Sequence, residues 1–317
     1  MDYEPMETAF TRAFGLRAPI VSAPMAFAGG GRLAAEVSGA GGLGFIGGGY
    51  GDGGWIEDQW SAAGNAAVGC GFITWKLAGQ PELLDQALER KPRAIFLSFG
   101  ELEPFAERVK AAGVPLFAQV QTLAAARAAL DAGAEVIVAQ GAEAGGHGTG
   151  RATLTLVPEV VDMVAGRALV LAAGGIADGR GLAAALMLGA DGVNVGTRFW
   201  ASEEALVAGA LHEAALAADG DGTLRSSLPD IARGYDWPGG WNVRTLRNAW
   251  VRHWEDVPGG PATEDARAAY AAGVAAGDPE VAPAIVGENI GLIREILPAG
   301  EIVARMVTEA REALGRW

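Results

Sequence analysis

Short apolar, β-rich runs alternate with alanine-rich stretches over roughly the first two-thirds of the chain. The apolar runs predict strands at 19–23, 43–46, 67–73, 94–98, 115–119, 136–140, 169–172 and 192–195. Continuous apolar runs of this length suit strands covered on both faces, as in a parallel sheet. The intervening stretches, among them 81–90, 102–112, 122–132 and 179–188, read as helices. Gly113, Gly133 and Gly189 follow three of them, where a left-handed residue would end a helix. Eight strands, each followed by a helix, predict an α/β fold of the TIM (β/α)8 barrel type.

A weak internal repeat agrees. Ala129-Leu-Asp-Ala-Gly133-Ala-Glu-Val and Ala185-Leu-Met-Leu-Gly189-Ala-Asp-Gly share a helix-end, glycine, strand pattern, with glycines 56 residues apart, the span of two units. A doubly wound sheet would instead place its phosphate-binding glycines after the first strand. Gly39-Ala-Gly41-Gly-Leu-Gly44 has the letters of a dinucleotide fingerprint, but it follows a helical segment and precedes a strand. That is the reverse of the context the fingerprint needs, so it reads as a glycine-rich turn.

Beyond residue 218 the pattern changes. Asp219-Gly-Asp-Gly opens a loop, Trp237, Trp241, Trp250 and Trp254 crowd together, and 261–282 is rich in Ala, Gly and Pro. Amphipathic helices are expected from Gly291 to Trp317, carrying Leu292, Ile296, Ile302, Val303 and Met306. The expected organisation is a barrel built from 1–218 and 286–317, with 219–285 forming a smaller, mainly helical lobe that caps the substrate. The tryptophans suit the wall of an apolar pocket and the packing of the lobe equally well.

With 317 residues, half of them hydrophobic, the chain can bury one large core with a smaller lobe. A net charge of −14, with no Lys/Arg cluster, argues against nucleic acid or an anionic membrane surface as partner. The lone Cys70 excludes an internal disulfide framework and fits a reducing compartment. The acidic start lacks the apolar region of a signal peptide, and no apolar run approaches the ~18 residues of a membrane span. A soluble, cytoplasmic protein is expected.

Barrel chemistry sits at the C-terminal ends of the strands. Those ends hold Pro24-Met25-Ala26, Thr74-Trp75-Lys76, Ser98-Phe99-Gly100, Gln119 and Gln121, and Gln140 with its glycine-rich loop up to His147-Gly148. The last two strands end in Ala173-Gly174-Gly175-Ile176 and Gly196-Thr197-Arg198, the usual phosphate site of the fold. Bare N–H groups at these glycines, the Thr197 hydroxyl and the following helix N-termini favour an anion. A flavin mononucleotide (FMN) anchored there spans the barrel top, with Gln140 at its pyrimidine side and a backbone donor in the Met25-Ala26 turn for its N5.

Ala23-Pro-Met-Ala26, Ala40-Gly-Gly-Leu-Gly-Phe-Ile-Gly47, Gln140-Gly-Ala-Glu-Ala-Gly-Gly-His147, Ala173-Gly-Gly-Ile176 and Asn194-Val-Gly-Thr-Arg-Phe199 together resemble the nitronate monooxygenases, formerly called 2-nitropropane dioxygenases. The likeness covers most of 15–205, and Gly287 to Leu297 is similar to the family's C-terminal segment. It implies an FMN-dependent TIM barrel that oxidises alkyl nitronates with O2 to carbonyl compounds and nitrite, without nicotinamide. The implied FMN contacts are Pro24, Met25, Ala26, Gly71, Gln140, Gly145, Gly146, Gly174, Gly175, Asn194, Val195, Gly196 and Thr197, and His147 is the implied catalytic base or nitronate partner. Many members carry Asn inside strand three, where this chain reads Gly69-Cys70-Gly71. A homodimer is compatible with the resemblance, and no metal is expected.

A neutral imidazole can take the proton α to a nitro group, and an imidazolium can stabilise the anion. The competing expectations share the flavin: an NAD(P)H-dependent quinone reductase or enoyl-acyl-carrier-protein reductase. An acidic carrier protein would favour a basic rim, which this acidic chain lacks. A ligand-binding protein without turnover would not need His147. His212 reads as a helix surface or packing residue, His253 as flanking the pocket at most, and Lys76 as solvated. Cys70 lies within a strand and reads as core, which weakens any reading that needs a loop thiol.

Overall fold

The computed structural model describes residues 3–316. Its strands begin with β1 (Ile20–Ser22), β2 (Phe45–Gly47), β3 (Gly69–Ile73), β4 (Ile95–Ser98), β5 (Leu116–Val120), β6 (Val136–Gln140) and β7 (Gly146–Gly148). β8 (Leu169–Ala173), β9 (Gly192–Val195), β10 (Thr223–Ser226) and β11 (Asn242–Leu246) follow. Eight of them form one parallel sheet in the order β1-β9-β8-β6-β5-β4-β3-β2. The ends of that sheet meet in a bridge between Val21 and Leu43, where Ser22 N–H donates to Leu43 O at 3.1 Å and Leu43 N–H to Ile20 O at 3.0 Å. This is a TIM barrel, with each expected strand in place.

The pleat sorts the apolar runs into two cores. Ile95 and Leu97 of β4 face the surrounding helices, while Phe96 between them faces the barrel axis. Phe45, Phe96 and Phe117 fill the axis with ring centroids 5.3–6.1 Å apart. Phe10 and Phe14, from the helix Ala9–Phe14, reach Phe117 at 6.1 and 5.4 Å. They pack across the N-terminal end of the barrel. Truncating Phe117 to Ala would remove a filled volume on which four rings converge, at a cost of roughly 3–5 kcal/mol.

The expected helices occur as Glu82–Glu89, Glu103–Ala111, Leu123–Asp131 and Gly179–Met187. Gly113, Gly133 and Gly189 adopt φ of +67°, +84° and +91°, as helix ends of this kind require. The turn at Gly39–Gly44 joins the helix Gly31–Gly39 to β2, so it is no dinucleotide loop. In the last segment the structure differs from the sequence expectation: Glu288–Leu292 is a short 3-10 turn with Leu292 exposed, and the long helix starts only at Ala299. Pro298 sets that start, because its ring favours the helix entry and interrupts anything before it.

The helix Ala299–Leu314 packs against Gly179–Met187 at Gly179, where any Cβ would lie 2.4 Å from Ala310 N. Residues 219–285 contain β10, β11 and the helices Leu228–Arg233, Ala249–Trp254 and Glu264–Ala276. Leu228, Ala232, Trp250, Val251 and Tyr270 form a separate cluster there. β10, β11 and β7 make a small antiparallel sheet in the order β10-β11-β7. No helix among the described residues is long and apolar enough to cross a membrane.

Candidate active site

A cavity of about 450 Å³ opens at the C-terminal ends of the barrel strands. Pro24, Met25 and Ala26 line it from β1, Gly71 from β3, Gln140 from β6, and Gly145, Gly146 and His147 from the segment after β6. Gly174, Gly175, Asn194, Gly196 and Thr197 complete the opposite wall. Of the implied FMN contacts, Val195 alone is not in its lining. Its side chain is buried between barrel and helices, and its carbonyl accepts the Ala23 N–H at 2.9 Å.

Gly174 and Gly175 hold φ of +100° and +76°, which only glycine adopts without strain. The N–H groups of Gly174, Gly175, Gly196 and Thr197 have no backbone acceptor among the described residues. Thr197 Oγ1 accepts the Gly287 N–H at 2.9 Å, which leaves its own proton free to donate. Four bare amides and a hydroxyl at one wall make an anion cradle. Beside it, Asn194 Oδ1 is buried without a partner. Across the cavity, Gln140 Oε1 accepts from Gln121 Nε2 at 2.9 Å and Gln119 Nε2 at 3.2 Å. With that oxygen occupied, Gln140 presents its Nε2 as a donor.

His147 sits on β7, not on the open loop expected from its glycines. The glycines carry no strand propensity, and the strand exists because Val243 of β11 pairs with His147. Its Nε2 lies 2.9 Å from Asp230 Oδ2, and both side chains are buried. Trp237 stacks on the imidazole with centroids 3.4 Å apart and planes 12° apart, and Phe99 meets it edge-on at 6.1 Å. Phe99 has φ +63°, an uncommon geometry for an aromatic residue, at the end of β4.

Burial lowers the His147 pKa, against the opposing pull of the Asp230 carboxylate. A carboxylate only accepts, so Nε2 carries the proton of the neutral ring and Nδ1 keeps its lone pair. Asp230 Oδ1 lies 3.5 Å from Arg233 Nη2, and Arg233 Nε donates to Pro229 O at 3.0 Å. The ordered chain is therefore guanidinium, carboxylate, imidazole, cavity.

Arg225 holds the glycine-rich segment from behind. Its guanidinium donates to the carbonyls of Ala142, Ala144 and Gly146 at 3.0, 2.9 and 3.1 Å, and to Asn242 O at 2.6 Å. Burial, with Arg244 close by, pushes its pKa down to about 10. Glu143 is committed to the fold: its carboxylate accepts from Thr153 N–H at 3.0 Å and Thr153 Oγ1 at 2.9 Å, at the start of the helix Thr153–Val164.

The remaining candidates lie elsewhere. His212 Nε2 is 2.9 Å from Trp200 O, and His253 is exposed, edge-on to Trp254. Lys76 lies over the rings of Trp75 and Tyr235. Cys70 is fully buried, and burial pushes its thiol up to about 12. A Cβ at Gly69 would strike the Phe45 ring at 2.3 Å and one at Gly71 would strike Pro24 at 2.4 Å, so neither position admits a side chain. Trp237 and Trp241 reach the barrel mouth, Trp241 Nε1 donating to Gln121 Oε1 at 3.4 Å, whereas Trp250 packs on Tyr270. Asp230, Arg225 and Arg233 were not singled out in the sequence, where no spacing ties them to His147.

A family model described as nitronate monooxygenase matches residues 73–309. A nitronate monooxygenase of Neurospora crassa is 34% identical over 341 aligned residues, covering 93% of this chain and 89% of that protein. Among solved structures, FabK from Thermotoga maritima superposes with a TM-score of 0.85 at 30% identity over 98% of both chains. Nitroalkane oxidase from Streptomyces ansochromogenes gives 0.81 at 27% identity, over 98% of this chain and 99% of that one.

Proposed function

Because this chain belongs to the nitronate monooxygenase family, we propose that it is an FMN-dependent oxidoreductase that converts alkyl nitronates and O2 to carbonyl compounds and nitrite. One O2 shared between two nitronates balances that conversion, giving two carbonyl compounds and two nitrites. The observation that carries the proposal is the buried His147–Asp230 pair, Nε2 to Oδ2 2.9 Å, on the wall of a cavity that also holds an anion cradle.

The residues present fit FMN. The bare amides of Gly174, Gly175, Gly196 and Thr197 and the Thr197 hydroxyl would hold its phosphate. The unpartnered Asn194 Oδ1 offers an acceptor, and Gln140 Nε2 offers a donor toward its pyrimidine edge. Gly145 and Gly146 keep the wall free of side chains where a flat ring must approach. When bound, FMN supplies a two-electron acceptor that O2 can reoxidise.

The protein's own groups handle the proton and the substrate. Where the neutral nitroalkane enters, His147 Nδ1 takes the proton from the carbon α to the nitro group and leaves the nitronate; where the nitronate itself enters, the imidazole, once protonated, holds its oxygen. Asp230 stabilises the resulting imidazolium through the Nε2–H, with the Arg233 guanidinium 3.5 Å behind its other oxygen. Trp237 and Phe99 pack around the imidazole and exclude water from it. Residues 219–285, which supply Asp230 and Trp237, act as the substrate-capping lobe.

An anaerobic titration of the flavin-loaded protein tests this. Ethyl or propyl nitronate is expected to bleach the flavin, with oxygen uptake and nitrite release when air returns. Bleaching by NADH or NADPH with nitronate inert would overturn it in favour of a reductase, and failure to retain FMN at all would remove its premise.

A further inference from the structure

We infer that Tyr50 is a further catalytic residue, whose hydroxyl donates a hydrogen bond to a charged oxygen of the substrate's nitronate group. The identity of that anion rests on the nitronate reading; the donor itself does not.

Tyr50 follows β2 in the stretch Gly47-Gly-Gly-Tyr-Gly51. Gly49 and Gly51 hold φ of +55° and +88°, so the chain turns sharply there and presents Tyr50 as the side chain of the turn. In the circular order of the barrel strands, β2 stands opposite β6, whose end carries Gln140 and leads to His147. The Tyr50 ring lies flat on Tyr235, with centroids 4.1 Å and planes 14° apart, and Phe27 is near-parallel to it at 6.5 Å. This stacking holds the ring and leaves the hydroxyl as its reactive end.

Trp237 Nε1 donates to Tyr50 Oη at 3.3 Å. That bond occupies the phenol as an acceptor, so Tyr50 keeps a proton of its own to donate, and no described residue accepts it. Tyr50 lines the cavity, and burial raises its pKa above the ordinary phenol value, which keeps the proton in place. The same indole that reaches Tyr50 through its edge lies face-on against His147 at 3.4 Å, so one side chain ties the donor to the base.

The surrounding charges favour an anion here. Among the described residues, Arg233 is the one Lys, Arg, Asp or Glu on the cavity lining, and it is turned to Asp230 at 3.5 Å. No carboxylate on the lining repels a negative group, and a neutral hydroxyl can hold one through a charge-assisted bond. When a neutral nitroalkane loses its α proton, negative charge grows on the nitro oxygens, and the donor then acts mainly on the transition state. When the nitronate enters already charged, the same bond contributes to binding.

Tyr50→Phe keeps the ring and deletes the oxygen. Calorimetry on the flavin-loaded protein uses propionate, an unreactive planar anion shaped like the nitronate of nitroethane. The variant is expected to bind it about 10- to 100-fold more weakly, with the flavin spectrum retained. KM for ethyl nitronate should rise by a similar factor with kcat little changed, whereas for neutral nitroethane kcat itself should fall about tenfold or more. Trp237→Phe keeps a ring against His147 but removes the N–H on Tyr50, and should weaken propionate about threefold. Propionate left unbound by the parent, or bound equally by the parent and Tyr50→Phe, would overturn the assignment. So would a loss confined to Tyr270→Phe, the other tyrosine on the lining. Propionate binding lost in Tyr50→Phe, with every nitronate inert in the parent, would uphold the donor and overturn the nitronate reading.

Discussion

His147 Nε2 and Asp230 Oδ2 lie 2.9 Å apart across 83 residues of sequence, and both side chains are buried. The pair decides which imidazole nitrogen can act as a base. A carboxylate that accepts the Nε2 proton leaves Nδ1 as the one atom able to take another. Arg233 behind the carboxylate makes this a three-membered chain, and each member can be probed separately.

Asp230→Asn keeps the shape and removes the charge. The neutral amide no longer favours the imidazolium, so the acid limb of kcat/KM moves to lower pH. It also permits the opposite tautomer, with Nδ1 blocked. A fall of about 10- to 100-fold in kcat/KM is expected, with the flavin spectrum retained. An unchanged pH profile would show that the carboxylate does not act on the imidazole.

The lowered His147 pKa makes stability depend on pH. Between its native pKa and the ordinary value of 6.5, the unfolded chain binds a proton that the native ring refuses. This contribution is therefore fully present above 6.5 and declines as pH falls through that window. Urea midpoints measured for the parent and His147→Gln are expected to diverge, the parent losing more on acidification. Parallel curves at all pH values would contradict the lowered pKa.

Arg225→Gln withdraws a donor from four carbonyls at once. These carbonyls are half-buried or, at Asn242, exposed, and Ala142 O keeps Arg244 Nε, so the loss should cost about 1–3 kcal/mol in urea unfolding, with FMN affinity reduced because Gly145 and Gly146 lose their support. Arg225→Lys should recover only part of both, since an ammonium cannot span the same fork.

Gly145→Ala places a Cβ 2.5 Å from the Val286 backbone. Neither strand of chain can yield cheaply, so a loss of about 1–3 kcal/mol is expected, together with weaker flavin retention by equilibrium dialysis. Gly150→Ala, where a Cβ meets nothing within 4 Å, serves as the control.

The barrel was legible because its strands are apolar runs whose identity depends on local composition. The cavity was legible where it comes from strand ends: Gln140, Gly174 and Thr197 follow directly from knowing which end of a barrel binds ligands. The side chain of Val195 faces outward, by the alternation of the pleat, while its neighbours Asn194 and Gly196 line the cavity. The small sheet was not legible, because Gly-His-Gly has no preference for a strand until β11 pairs with it. Nor was Asp230, whose role arises only when the helix Leu228–Arg233 folds over the barrel. The tryptophans were visible as a group, but only tertiary packing separates Trp237, stacked on His147, from Trp250, which packs on Tyr270.

The sheet β10-β11-β7 has one further consequence. His147 is a barrel-loop residue by sequence, yet its backbone partner Val243, its carboxylate Asp230 and its stacking partner Trp237 all come from 219–285. The barrel alone would keep Gln140 and the glycine wall, but it would lose every group that orients the imidazole: which nitrogen of His147 is free is decided by a segment that contributes no strand to the barrel.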